Sequence, residues 1–365
     1  MSYMILALNP GSTSTKIAVY EDSKEVFKKN IEHSKQDIEQ FEKIVDQHEM
    51  RYTAIMKVLA EEHCDLNKLS AVVGRGGLLP PLKSGAYLVN DAMIDTLKFR
   101  PVNQHASNLG AIIAHHIAHP LGIPAYIYDS VTVDEFEDIA RISGMADIER
   151  PSLGHMLNMK ATAVKVAKES GKKLAEMNLI VVHLGGGQTV GMFSKAKLID
   201  MVSDDEGAFS PERAGRVPCK YLISLCYKHD KPTMDKKLRG KGGLMSYLGT
   251  NDVREVEKMI NGGDKRAKLL LEAMAYQIAK DIGEMATVVF GKVDKIVLTG
   301  GVANSKMLTG WIRPRVEWIA PMQVVPGENE LESLALGTLR VLTGEEQAHV
   351  YEETQRASRA VATAK

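Results

Sequence analysis

Apolar positions along the chain fall into short continuous runs and longer spaced stripes, and these predict two kinds of element. The runs 3–8, 16–21, 70–74, 125–129, 178–183, 190–193 and 294–299 have the length and continuity of buried strands. Helical spacing appears in the polar stretch 37–62 (Ile44, Ala54, Ile55, Val58, Leu59), in 108–119, in 154–171 and in 264–290. In the last of these, Leu270, Met274, Ile278 and Ile282 mark the apolar stripe. Each half of the chain contains a glycine-bearing turn between two strands, followed later by a strand that ends in a double glycine. The turns are 9–16 and 184–189, and the double glycines are Gly76-Gly77 and Gly300-Gly301. Such self-similarity predicts a duplicated α/β unit. Ligands of α/β sheets sit at the carboxyl ends of strands, where these glycines lie.

The expected domains are 1–150 with a returning helix near 331–343, and 151–330, with the helical stretch 154–171 bridging the halves. The segment 344–365 is polar and alanine-rich without a core pattern, and is read as a tail free to move. A length of 365 residues also suggests about two domains. With 44% hydrophobic and 25% charged residues, the composition is that of a soluble globular protein. Lys+Arg and Asp+Glu both number 46, so no net charge points to nucleic acid or to a membrane surface as partner. The first apolar run stops at Asn9-Pro10-Gly11, short of a secretory signal, and no later run could span a bilayer. Cys64, Cys219 and Cys226 form no CxxC pair and read as reduced thiols. The expected compartment is the cytoplasm.

The turn LNPGSTSTK, residues 8–16, concentrates groups that suit an anion. Gly11 lets backbone N–H groups approach closely, Ser12 and Ser14 add rotatable donors, and Lys16 adds a mobile charge. Taken alone, this is ordinary hairpin composition. Paired with Gly185-Gly186-Gly187 in a duplicated setting, it points to a phosphate-bearing ligand held by hairpins. Neither a GxxxxGK[ST] loop nor a GxGxxG helix start is present.

LNPGSTSTKIAVYED, AVVGRGG, YIYDSVTVDE, SLGHMLNMKA, VVHLGGGQTV, FSPERAG and IVLTGGVANS occur in this order. The chain thereby resembles the acetate kinase family and, within it, the butyrate kinases, from about residue 4 to residue 343. The resemblance implies a duplicated actin-like (ribonuclease H-like) α/β fold with two lobes and an interdomain active-site cleft. It implies ATP/ADP and Mg2+ as cofactors, a short-chain carboxylic acid and its acyl phosphate as substrate and product, and a homodimer or larger homo-oligomer. By the same resemblance Arg75, Asp129, His155, His183 and Arg213 are catalytic, and Asn9 and Glu330 are metal-associated. Gly11, Ser12, Ser14, Lys16, Gly185, Gly186, Gly187, Gly300, Gly301 and Asn304 would bind the nucleotide, with Asp252 and Arg254 near adenosine.

These roles make physical sense. A carboxylate is already ionised at neutral pH, so no base is needed, and the demand is for positive charge around a moving phosphoryl group. Arg75 ends a strand beside Gly76-Gly77, an unusual place for an idle charge, whereas Arg216 competes with Arg213 for the second cation. Asp252 could equally cap a helix. Glu328 and Glu332 compete with Glu330. His115 and His119 are four residues apart on one helical face, lack a third ligand and read as structural.

Departures from the acetate kinase pattern cluster at 129–133, 152–155 and 210–213, which puts acetate in doubt and leaves butyrate, isobutyrate or propionate open. Two rivals are weighed: a sugar kinase of the same architecture, using Asp129 as base, and an actin-like ATPase. The pair Arg75 and Arg213 suits a carboxylate better than a neutral sugar.

Overall fold

In the computed structural model, which describes residues 2–327 and 329–352, the strands form two sheets with matching topology. The described chain divides into two units: 2–134 with 144–148 and 329–352, and 135–143 with 149–327.

In the first unit β1 (Met4–Pro10), β2 (Ser14–Glu21) and β3 (Lys24–Glu32) form an antiparallel meander. β4 (Leu69–Arg75) lies parallel to β1. β5 (Ala86–Leu88) is antiparallel to β6 (Ala125–Tyr128), which in turn is parallel to β4. In the second unit β7 (Leu179–Leu184), β8 (Gln188–Ser194) and β9 (Lys197–Val202) form the meander, and β10 (Lys295–Thr299) and β11 (Met322–Val324) the parallel part. The orders β3-β2-β1-β4-β6 and β9-β8-β7-β10-β11 are the same arrangement used twice.

β1 and β7 are almost wholly buried. Strands covered on both faces read as continuous apolar runs, which is why they were legible without alternation. The first core joins Leu6, Leu8, Ile17 and Val72 to Ile55 and Leu59 of the helix His48–Glu61 and to Ile112, Ile113 and Ile117 of the helix Leu109–Ala118. In the second unit the helix Lys265–Val288 packs on the sheet. Its face centres on Leu271, Met274, Ile278 and Ile282, while Leu270, expected in the stripe, is only partly buried. The stretch 37–62 divides into the short helix Lys35–Glu39, a 3-10 turn Ile44–Gln47 and the helix His48–Glu61.

A closing strand, β12 (His349–Val350), pairs with β5, and Tyr351 is buried with its hydroxyl donating to Thr96. Of the segment expected as a tail from 344, one aromatic anchor and an edge pairing tie 349–351 to the first sheet. The remainder of that tail, 353–365, and Glu328 lie outside the described residues. No helix of the described residues is long and apolar enough to cross a membrane.

Candidate active site

In the first unit, three parallel strands end side by side. The register pairs Leu8 with Gly74 and Arg75 with Tyr128, so Asn9, Arg75 and Asp129 occupy neighbouring carboxyl ends. Gly74 and Gly110 let a helix press against β4: a Cβ on Gly110 would lie 2.3 Å from the Arg75 carbonyl oxygen. That contact fixes the backbone of Arg75.

The Arg75 side chain is mostly buried, and its Nη1 lies 3.1 Å from Glu330 Oε1 and 3.5 Å from Asn9 Oδ1. Asn9 Nδ2 also donates to Glu330. Nε of Arg75 is buried with no hydrogen-bond partner among the described residues. An orphaned buried donor marks a place where an acceptor is missing. Glu330 starts the helix Glu330–Leu342, which brings it to residues more than 250 positions away.

Asp129 has φ +40, a left-handed conformation that a non-glycine residue adopts at some strain. Its Oδ1 accepts from Gly85 N at 2.8 Å. The turn 11–14 is closed by Gly11 N donating to Ser14 O at 2.7 Å, and Lys16 sits opposite Asn9 with its side chain exposed. His105, absent from the sequence reading, has its pKa lowered by burial and by the charge of Arg75. A histidine just ahead of a buried-type helix was the only sequence signal for it.

In the second unit, His183 lies at the penultimate position of β7 and His155 immediately precedes the helix Met156–Glu169. Their rings stack with centroids 4.0 Å apart and planes 8° from parallel. His155 Nδ1 lies 3.0 Å from Thr189 Oγ1, and His183 Nδ1 lies 2.8 Å from Asn158 Nδ2. An amide nitrogen can only donate, so His183 Nδ1 accepts and its ring proton is on Nε2.

Gly187 gathers the remaining parts. A Cβ there would lie 3.4 Å from Asp204 Oδ2, 3.5 Å from His155 Cε1 and 3.7 Å from Arg213 Nε. Arg213 is held by Asp204 (Nε to Oδ2, 3.2 Å) and Glu212 (Nη1 to Oε1, 3.2 Å). Burial pushes the Asp204 carboxyl up, opposed by Arg239 and Arg213. Arg216 faces elsewhere, with Nε donating to Glu206 O and Nη2 to Glu284. The histidine pair and Arg213 therefore share one turn, and Arg216 does not join them. Asn158 and Thr189 were missed in sequence, since each works through a partner 25 or more residues away, and Asp204 sits unmarked in a run of three acids.

Gly300 has φ +89, and a Cβ there would lie 2.3 Å from Leu184 O, so this glycine backs onto the entry of the 185–187 turn. It is bridged to Gly327 on the other side. Asn304 Nδ2 donates to Gly301 O at 2.9 Å. Asp252 caps the helix Val253–Asn261 and is paired with Arg254; that hydrogen bonding holds its carboxyl down at about 2. The two residues engage each other at an exposed helix start.

No cluster of three or more His, Cys, Asp or Glu side chains among the described residues is arranged for a metal ion. The rings of His115 and His119 stack with centroids 5.1 Å apart. Magnesium carried on nucleotide phosphates needs few protein donors. Here Asn9 turns its amide nitrogen to Glu330, whose carboxylate also engages Arg75.

Residues 155–316 match the Acetokinase family. A protein named "Probable butyrate kinase" from Clostridium botulinum (strain Alaska E43 / Type E3) is 48% identical over 355 residues, covering 96% of this chain and 100% of the other. The chain belongs to the acetokinase family. Solved structures agree with that membership at the level of fold. An acetate kinase from Porphyromonas gingivalis superposes with TM-score 0.79 at 19% identity, over 93% of this chain and 100% of that one. A propionate kinase from Francisella tularensis gives 0.74 at 19% identity, over 92% and 98%. The duplicated actin-like α/β architecture expected from the sequence is thus the fold of this chain.

Proposed function

We propose that this protein transfers the γ-phosphoryl group of ATP, reversibly, to the carboxylate of a short-chain fatty acid, with butyrate preferred. The observation that carries the reading is the convergence of Arg213 and the His155–His183 stack on the Gly187 turn. Near-complete coverage at 48% identity supports butyrate over acetate.

The chemistry follows from charge. A fatty carboxylate resembles a glutamate side chain, with pKa about 4.3, and arrives ionised. One of its oxygens attacks the γ-phosphorus, the bond from phosphorus to the β-phosphate oxygen breaks, and ADP leaves with that electron pair. No proton needs to be moved. The barrier is repulsion between two anions, so cations and hydrogen-bond donors are what the reaction requires.

Arg75, with a buried donor awaiting an acceptor, suits the incoming carboxylate. His183, with its proton on Nε2, suits a phosphoryl oxygen, and His155 backs its ring. Arg213, oriented by Asp204, suits the charge that develops on the equatorial oxygens. Asp129 would orient the acid side. Gly11, Ser12, Ser14 and Lys16, with Gly185, Gly186 and Gly187, would hold phosphates. Gly300, Gly301 and Asn304 would pass the nucleoside, Asp252 and Arg254 acting first as a helix cap. Glu330 and Asn9 would hold magnesium from the protein side, where it neutralises phosphate charge. On this reading the first unit serves the acid and the second the nucleotide, in a cytoplasmic homo-oligomer.

Incubation with ATP, magnesium and hydroxylamine tests the proposal. Acyl hydroxamate formed only when butyrate is present is the expected result. Sugar-dependent ADP release without hydroxamate, or acid-independent hydrolysis, would replace it with one of the rival readings.

A further inference from the structure

Arg51 belongs to none of the clusters above. It lies on the helix His48–Glu61 and is fully buried. A buried guanidinium is costly unless its charge is paired or its donors are all engaged. Among the described residues no carboxylate pairs with it, and burial alone lowers its pKa to about 10, still fully charged at neutral pH. Neighbouring His33 is pushed down by burial and by Arg51, so it adds no compensating group.

Neutral oxygens engage the guanidinium instead, and most belong to one turn. Nη1 donates to Gly11 O at 2.8 Å, Ser14 O at 3.1 Å and Thr15 Oγ1 at 3.1 Å. Nη2 donates to Ser12 O at 3.2 Å and to Gln47 Oε1 at 2.9 Å, and Nε to the same Gln47 oxygen at 3.2 Å. A trans peptide points its N–H opposite its C=O. Holding the Gly11 and Ser12 carbonyls against Arg51 therefore turns the Ser12 and Thr13 N–H groups away from it, toward the exposed side of the turn. Successive amides presented in this way make an anion-binding concavity.

We infer that Arg51 is a positioning residue for nucleotide phosphate, fixing the 11–14 turn from beneath with its amides outward and lending it a positive charge that no described carboxylate pairs with. The inference rests on the phosphotransferase reading above, since it takes the anion to be the phosphate chain of a nucleoside di- or triphosphate. A guanidinium that only pinned the hairpin would affect stability and leave the nucleotide affinity of the folded protein unchanged. Lysine keeps the charge and loses the planar fork, whereas glutamine keeps a donor and loses the charge.

The test is ADP affinity by calorimetry on the full-length protein, with unfolding followed by circular dichroism. Arg51→Gln should weaken ADP and raise the KM for ATP by about tenfold or more, and Arg51→Lys by less, with the KM for butyrate moving under about twofold. Cooperatively folded variants that bind ADP within about twofold of wild type would overturn the inference. Hydrogen exchange on the wild-type protein gives a second reading that needs no variant. ADP should protect the amides in 9–16, and unchanged exchange there overturns the inference even if both variants fail to fold. Should ADP behave as expected while wild type forms no acid-dependent hydroxamate, the carboxylate kinase reading falls and the role of Arg51 stands.

Discussion

Arg75 and Arg213 are both strong cations near strand ends or turns, but they are held differently. Among the described residues Arg213 is braced by two carboxylates, whereas Arg75 has one, Glu330, and keeps a buried donor unmatched. Removing either should lower kcat/KM by about 10²–10³ through lost stabilisation of transferring charge. Arg75→Ala should also raise the KM for the acid, and Arg213→Ala should act mainly on kcat. Steady-state kinetics on variants whose melting is unchanged would check this, and near-normal turnover in both would remove them from the mechanism. Arg75 was legible because its neighbours in sequence, a strand and two glycines, already define its place. Arg51 was not, because its meaning lies in carbonyls up to 40 residues away. Asp204 was hidden in the same way, as one of three consecutive acids until the fold set it beside Arg213 and Arg239.

Elements were legible where they are long and buried on both sides, as in β1, β4, β7 and β10. Short strands such as β5 and β12 carry too little pattern, and pairing decides them. Two contacts between elements give predictions. The helix Leu109–Ala118 touches β4 through paired glycines, so Gly110→Ala must push helix and strand apart. A loss of about 1–3 kcal/mol is expected, read as a lower urea midpoint, together with weakened acid binding because Arg75 shifts. The second contact is Asp281 on the helix Lys265–Val288, whose Oδ2 accepts from Ala208 N. Burial pushes this carboxyl up to about 6, against the Ala208 hydrogen bond and Arg216, from an ordinary value of 3.8. Between those values the folded protein keeps a proton that the unfolded chain has released. Stability therefore falls as pH rises from about 4 to about 6, and the penalty persists above that range. Asp281→Asn retains an acceptor for Ala208, so it should melt higher than wild type at pH 7.5, by up to about 3 kcal/mol. The gap should close near pH 4, and equal melting at both pH values would rule the effect out.

At the scale of the molecule, one strand order used twice explains why the active-site candidates come in two sets. Arg75, Asn9, Asp129 and Glu330 gather on the first unit, and His155, His183, Asp204 and Arg213 on the second. Sequence motifs exposed the duplication, because each half repeats a glycine turn and a strand ending in glycines. The proposed reaction asks both sets to act on one phosphoryl group, and that demand has a measurable consequence. Groups that stabilise a single transition state lose their effects non-additively, whereas independent sites add. The double variant Arg75→Ala with Arg213→Ala should therefore fall short of the product of the two single losses, by about tenfold or more in kcat/KM. The measurement needs only residual rates with butyrate at saturating nucleotide. A strictly multiplicative result would mean that the two arginines serve separate events. The same assay run along a series of acids places the acyl preference: one methylene in an apolar pocket is worth about 1–3 kcal/mol. Propionate and valerate should then remain substrates at reduced kcat/KM, with acetate weaker still, and a flat series would remove butyrate as the preferred acid while leaving the phosphotransfer chemistry in place.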